Sequence, residues 1–321
     1  MIGAVRRVPP GYLEIGDDVA AIPIRDGYAV LKVDMLVEST DVPRGMGYRE
    51  AARKAVAMCV SDFAAKGVRP DSFMASIGLR RGATQKQVDQ LACGFRDAEE
   101  AWGVRMVGGD TNEAKELVVD CVMAGFATRI VERKGAKAGD VLVVTGLFGY
   151  PPAGLKIIME GARAAKVFRA KALKSVKTPT PDLEIGLALS PYLTSSMDSS
   201  DGLARCLHVL AKESGVGFDL DRMPAARGVA NFADQNALSL EDLVMAGGEE
   251  YVIVGTVSPK RLRAATAAAK GAGGDLFNIG RATAEKGKVR LLEGKSRKSI
   301  GDEGWTHLAT PKPSLRSSRT S

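Results

Sequence analysis

The chain has 321 residues, enough for two domains with a core each, and its 45% hydrophobic and 26% charged content is that of a water-soluble globular protein. The formal net charge of +7 comes largely from residues 163–177 and 312–319, which lack interleaved aromatics, so a solvated basic face or a site for anionic substrates is expected ahead of nucleic acid. Two histidines (His208, His307) and four scattered cysteines (Cys59, Cys93, Cys121, Cys206) without CxxC spacing argue against a His-based metal site, a Ser/His/Asp triad or a zinc centre. The longest uncharged run, 141–155, is broken by glycines and by Pro151-Pro152, and residues 1–10 lack the apolar core of a signal peptide. No membrane span and a cytoplasmic location are therefore expected.

In chain order, Glu14-Ile15-Gly16-Asp17-Asp18 reads as a turn before an apolar strand at 19–24. Asp26-Gly27 supplies a hairpin turn and 28–33 the return strand, ending at Asp34. Residues 48–66 read as a helix, because Ala52, Val56, Cys59 and Phe63 fall at helical spacing and Gly67 supplies a stop. Asp62 lies inside that helix, either as an exposed residue or as a charge with a task. After a strand at 72–79, Thr84 caps a second helix with the stripe Val88, Leu91, Phe95, Ala98 and Trp102, ended by Gly103. A short strand at 104–107 runs into Gly108-Gly109-Asp110-Thr111, and 117–128 is a longer strand. Helices alternating with strands in this way predict a mixed α/β domain.

Residues 133–140 read as an interdomain connection, followed by a strand at 141–145, a Gly/Pro-rich segment at 146–154 and an apolar helix at 155–160. The hydroxyl-rich loop Ser195-Ser196-Met197-Asp198-Ser199-Ser200-Asp201-Gly202 precedes a helix at 203–214, with Leu203, Leu207 and Leu210 on its stripe and His208 off it, toward solvent. A strand at 218–220, the cluster Ala246-Gly247-Gly248-Glu249-Glu250 feeding a strand at 251–257, an Ala-rich helix at 261–270 and a strand at 289–292 complete the pattern.

The chemistry candidates are Asp17, Asp18, Asp34, Asp62, Asp110, Asp198, Asp201 and Glu249, mostly at strand ends or helix starts and often beside Gly. Oxygen ligands without His or Cys suit Mg²⁺, which binds one or two carboxylates together with water and substrate phosphates. Asp198 and Asp201 stand one turn apart before a helix N-terminus, where anions are stabilised and backbone N–H groups can meet a phosphate. An ordinary Ser/Asp N-cap explains the same loop. No Walker A and no GxGxxG spacing occurs. The residues alone leave two readings: a Mg²⁺-assisted phosphate enzyme, or a set of Gly-Asp turns.

The order and wording of the clusters resembles the thiamine-monophosphate kinase family, within the aminoimidazole-ribonucleotide-synthetase-like ATP-binding superfamily. The motifs are Ile15-Gly16-Asp17-Asp18, Asp34-Met35-Leu36-Val37-Glu38, Val60-Ser61-Asp62-Phe63-Ala64-Ala65-Lys66-Gly67 and Gly108-Gly109-Asp110-Thr111. They continue as Arg133-Lys134-Gly135-Ala136-Lys137-Ala138-Gly139-Asp140, Met197-Asp198-Ser199-Ser200-Asp201-Gly202-Leu203, Gly247-Gly248-Glu249-Glu250-Tyr251 and Gly304-Trp305-Thr306-His307. The resemblance implies a two-domain mixed α/β synthetase-like fold. Residues 1–135 would form an ATP/Mg²⁺-binding and dimerisation domain, 136–310 a larger C-terminal α/β domain, and 311–321 a flexible basic tail. It also implies a homodimer whose N-terminal sheets join into a central barrel, with ATP near that junction. Carried over by motif, Asp18, Asp34, Asp62, Asp110, Asp198 and Asp201 would hold Mg²⁺. Gly109, Asp110, Arg133 and Ser200 would contact ATP, and Glu249 and Trp305 would face the thiamine end.

The implied reaction turns ATP and thiamine monophosphate into ADP and thiamine diphosphate. Its nucleophile is an anionic phosphate oxygen, so no general base is needed, in keeping with a chain almost without histidine. The obstacle is repulsion, roughly 4 kcal/mol for a unit-charge pair at about 4 Å and an effective dielectric of about 20. Bridging Mg²⁺ removes it and aligns donor with acceptor. The sequence departs from the family in several places. Lys32-Val33 precede Asp34 where hydroxyl residues are frequent, so the Lys32 ammonium is expected to replace part of a Mg²⁺ site. Asp41 stands where bacterial relatives commonly carry His, Glu250 where Asp is usual and Val252 where Glu is usual, as in an archaeal-type variant or an enzyme with another acceptor. Two alternatives stay open: a same-fold kinase or ligase for another small phosphorylated molecule, and a nucleic-acid-binding protein. Residues 1–12 hold no reactive Cys of the selenophosphate-synthetase kind, and Arg319-Thr320-Ser321 is not the Cys-bearing tail of a hydrogenase-maturation dehydratase.

Overall fold

Two sheets pack on opposite sides of one helix in the computed structural model, which describes residues 8–13, 15–294 and 296–304. The expected hairpin is present as β1 (Ala20–Ile24) and β2 (Gly27–Val37), closed by the pair Ile24 and Gly27. β2 does not end at Asp34: its pairing with β5 (Val118–Ala127) continues to Val37 opposite Val118. Val30 and Leu36 are buried while Val33 and Met35 are exposed, so the two-residue period turns Lys32 and Asp34 toward the inner face. A single turn, α1 (Glu38–Asp41), leads to α2 (Tyr48–Lys66), which stops at Gly67 in the left-handed region, φ 64°.

β3 (Pro70–Arg80), α3 (Gln85–Trp102) and β4 (Arg105–Ala114) complete the first half, and the Thr84 hydroxyl caps α3 by accepting from the Gln87 N–H, as expected. The first sheet runs β1-β2-β5-β3-β4, with β3 and β4 parallel and the other pairs antiparallel. Gly108-Gly109-Asp110-Thr111 is not a loop after a short strand but the middle of β4, paired along β3. A Cβ at Gly109 would run into the Ala75 carbonyl, which is why this edge strand carries glycine there.

The second half contains β6 (Val141–Val144), α4 (Tyr150–Glu160), α5 (Lys166–Lys177), α6 (Leu183–Leu189), β7 (Leu193–Asp198) and α7 (Leu203–Ser214). It continues with β8 (Gly217–Leu220), α8 (Val229–Gln235), β9 (Ile253–Val257), α9 (Leu262–Gly271), β10 (Phe277–Thr283), β11 (Val289–Glu293) and β12 (Ser296–Ser299). Its sheet runs β12-β11-β8-β10-β6-β9-β7, parallel only between β8 and β11. The structure corrects several expectations. Ser195–Asp198 belongs to a strand, not a loop, and it pairs with β9. The helix expected from 155 begins at Tyr150, because Pro151 and Pro152 fall in its first turn, where a missing N–H costs nothing. α5, α6, α8, β10 and β12 were not expected at all. The N-cap of α7 is Gly202 with no side-chain bond, so the Ser/Asp capping explanation of that loop does not hold.

α2 is the piece both halves share. It touches β2, β5 and α3 on one side and β7, β9 and α6 on the other. The first core accordingly takes in Val176, Leu183 and Ile253 from the second half. Ala52, Val56, Cys59 and Phe63 form the expected buried stripe, but Lys54, Ser61, Asp62 and Lys66 are buried as well. A helix buried all round must be apolar or must find partners for its charges. Among the described residues no helix is long and apolar enough to cross a membrane. Trp305, His307 and residues 311–321 lie outside the described residues.

Candidate metal and phosphate site

The turn before β1, the last turns of α2 and the end of β7 meet at three carboxylates. Oxygens of Asp18, Asp62 and Asp198 lie within 4.8 Å of one another, and all three residues are buried. Among the described residues no other trio of His, Cys, Asp or Glu is so close. The donor set is all oxygen, the type that hard divalent cations prefer.

Cations reach this cluster from two sides. Lys66 Nζ stands 2.6 Å from Asp17 Oδ1 and 2.7 Å from Asp18 Oδ2, and it donates to the Ser196 carbonyl at 2.6 Å. The contact with Asp18 Oδ2 is ionic without hydrogen-bond alignment, so that oxygen keeps lone-pair capacity for a metal. Arg133 clasps Asp18 Oδ1 through its guanidinium, with Nε at 2.8 Å, and its own backbone N–H donates to Asp17 Oδ2 at 2.9 Å. Lys32 Nζ lies 2.8 Å from Asp62 Oδ2 and 3.2 Å from Asp34 Oδ1. Ser61 Oγ donates to Asp198 Oδ2 at 3.1 Å.

Protonation follows this partition. Burial opposes the charge of Asp18, but Lys66 and Arg133 more than offset it and hold the carboxyl below its usual range. Burial, then the neighbouring Asp198 charge, pushes Asp62 well above that range. Burial, then Asp18, pushes Asp198 up to about 7. The cluster holds more negative charge than its resident cations neutralise.

The other expected site residues fall in different places. Asp34 shares the inner face with Lys32 but lies outside the close trio. Asp110 does not join it: β4 sets Asp110 opposite Ser76, and Ser76 lies opposite Asp120, on the sheet face away from Asp34. Gly109 is exposed on the same edge strand. Asp201 is half-buried just before the Gly202 cap, and Ser200 is exposed, with its carbonyl accepting the Glu249 N–H at 2.7 Å. Glu249 has φ 63° and Tyr251 φ 52°, a left-handed conformation that side chains rarely adopt, which marks this loop as constrained. The Glu249 Oε1 is ion-paired with buried Lys54, which also donates to the Asp41 carbonyl at 2.8 Å, while Oε2 has no hydrogen-bond partner. His208 Nε2 is 2.9 Å from the Ile300 carbonyl, half-buried rather than turned to solvent.

Sequence reasoning missed Lys54 and Lys66. Their signal was available: Asp62 and Lys66 are four apart on a helix whose Ala-rich surface leaves no polar face.

A stability test follows from the raised carboxyls. A carboxyl whose pKa is higher in the fold than in the unfolded chain binds more protons when folded, so stability falls as pH rises from about 4 to about 7. Asp198 alone, moving from 3.8 to about 7, contributes up to about 4 kcal/mol of that loss. With chelator present, Tm is expected to drop between about pH 4 and about pH 7, and Mg²⁺ to remove most of the drop. A metal-free Tm that rises over this interval contradicts the assignment.

Residues 16–127 match the AIR synthase related protein N-terminal domain, and residues 137–292 the AIR synthase related protein C-terminal domain. A thiamine-monophosphate kinase of Nitrosopumilus maritimus (strain SCM1) is 40% identical over 279 residues, covering 87% of this chain and 89% of its own. One of Pyrococcus horikoshii is 32% identical over 296 residues, covering 92% and 91%. The solved structure of AaThiL complexed with AMPPCP and TMP has a TM-score of 0.82 at 25% identity, covering 91% of each chain. By these matches the chain belongs to the thiamine-monophosphate kinase family.

Proposed function

We propose that this chain transfers the terminal phosphoryl group of ATP directly to thiamine monophosphate, giving ADP and thiamine diphosphate, with Mg²⁺ held at Asp18, Asp62 and Asp198. The observation that carries the reading is the convergence of those three buried carboxylates, short of positive charge, in a chain of this family. The donor set fits Mg²⁺ because it is all carboxylate and because one Asp18 oxygen lacks an aligned partner. Bound Mg²⁺ would neutralise phosphate charge and provide a template for in-line transfer.

The chain's own residues do the positioning. Arg133 and Lys66 keep Asp18 ionised and fix its orientation, and the Ser61 hydroxyl orients Asp198 by a hydrogen bond. The acceptor phosphate oxygen is already anionic, so no side chain must take a proton, and His208, tied to the Ile300 carbonyl, has no part. Asp201 is a further Mg²⁺ ligand in this reading, while the Asp34 carboxylate is engaged by the Lys32 ammonium at 3.2 Å. Gly109, Asp110, Arg133 and Ser200 face ATP. Glu249 and Trp305 face the thiamine end, where the unpartnered Glu249 Oε2 offers an acceptor to a cationic, amino-bearing ring. The domains are 1–135 and 136–310, in a cytoplasmic enzyme.

The same reading makes the protein a homodimer joined through the open face of the first sheet. Val33, Met35, Met74 and Phe126 all sit on that face, each about half exposed or more. Four large apolar side chains exposed on one sheet face are the mark of an interface. Asp110 lies on the same face, so its contribution is expected only in the dimer.

Two measurements test these statements. In an ADP-release assay with Mg²⁺-ATP and a panel of acceptors, turnover is expected on thiamine monophosphate and not on thiamine. Turnover on another phosphorylated acceptor, with none on thiamine monophosphate, sinks the substrate while keeping the fold. In light scattering, the chain is expected at the mass of a dimer and the Val33→Glu/Phe126→Glu variant at that of a folded monomer. An unchanged mass would remove this face from the interface.

A further inference from the structure

The acidic cluster carries its own cations, and their number has a consequence. Lys32 extends from β2 on the face that meets α2, and its ammonium lies between strand-borne Asp34, at 3.2 Å, and helix-borne Asp62, at 2.8 Å. Its side chain is 19% exposed, so the pairing is made away from bulk water. Lys66 and Arg133 occupy the equivalent position toward Asp17 and Asp18. Asp198 is different: among the described residues no Lys or Arg forms an ion pair with it, and its Oδ2 is served only by the Ser61 hydroxyl. Five carboxylates thus face three cationic side chains. The deficit of two charges is that of one divalent ion, and it falls at Asp62 and Asp198.

We infer that Lys32 is a resident cation of this site. Its ammonium takes the place of a divalent ion between Asp34 and Asp62, and the nucleotide-free chain binds one divalent ion, at Asp18, Asp62 and Asp198, instead of two. The inference rests on the Mg²⁺-phosphate reading above. Lys32 is a positioning residue: it holds Asp34 and Asp62 apart from each other's charge and leaves the remaining pair to the metal. Replacing it by a small hydroxyl removes one positive charge and vacates the space between two carboxylates, which are the conditions for a second divalent ion. Arginine keeps the charge and does not.

The test is a titration of the full-length, nucleotide-free protein with Mn²⁺ alone, following the free ion by electron paramagnetic resonance. Wild type is expected to bind one Mn²⁺ per chain, Lys32→Ser two, and Lys32→Arg one. Two or more ions in wild type overturn the inference without any variant, which covers the case of a variant that fails to fold. Equal, non-zero counts in wild type and Lys32→Ser overturn it as well and leave the Mg²⁺ reading standing. No binding in any of the proteins overturns both.

Discussion

The constraint on which the rest depends is that α2 has no exposed residue beyond its first turn. A helix clasped between two sheets cannot carry Lys54, Asp62 and Lys66 unless other elements bring opposite charge to them. Each is met: Lys54 by Glu249, Asp62 by Lys32, Lys66 by Asp17 and Asp18. These partners come from the first sheet, from the turn before it and from the second half of the chain. Docking the halves and assembling the site are therefore one event. Losing one member of such a buried pair costs about 3–5 kcal/mol, mostly because the survivor is left uncompensated. The pairs explain specificity of assembly better than net stability.

The pairing is incomplete in one direction only. Lys32, Lys54, Lys66 and Arg133 are each engaged, while Asp62 and Asp198 are held in a state that opposes their charge. A stable fold gains nothing from two buried carboxyls that repel each other. In the proposed reading the site gains from both: the uncompensated negative charge would favour a metal, and the metal would in turn favour the phosphates. The same logic explains why histidine is dispensable here. In the proposed reaction there is no proton to move, so charge placement is what the site must supply, and it is burial, then the Asp18 charge, that raises the pKa of Asp198.

Much of this was legible in the residues, and the misses share a cause. α2, α3 and α7 show a helical apolar stripe with a glycine stop, and these were read within a residue of their bounds. Asp34, Asp62 and Asp198 could be singled out from their places beside apolar runs. The extension of β2 past Asp34 could not, because alternation on a strand with one apolar open face hides polar residues pointing inward. Ser195-Ser196 looked like loop because hydroxyls usually mark turns; in β7 they are buried and bonded to Thr256 and Ala65 instead. Asp110 reads like its companions in sequence, and only the β3–β4 register shows that it faces the other way. Lys66 was passed over because a helix-end lysine is ordinarily a solvated one.

The central claim is that Asp198 is kept buried and under-compensated for the sake of a cation used in phosphoryl transfer. It is tested most directly by Asp198→Asn, measured both as Tm in chelator near pH 8 and as ADP release with Mg²⁺-ATP and thiamine monophosphate. The account predicts a Tm equal to or above that of wild type, together with turnover lowered by at least ~100-fold, no less than the loss seen when a group supporting a metal ligand is removed. A variant that is less stable without metal and still turns over at the wild-type rate would contradict it.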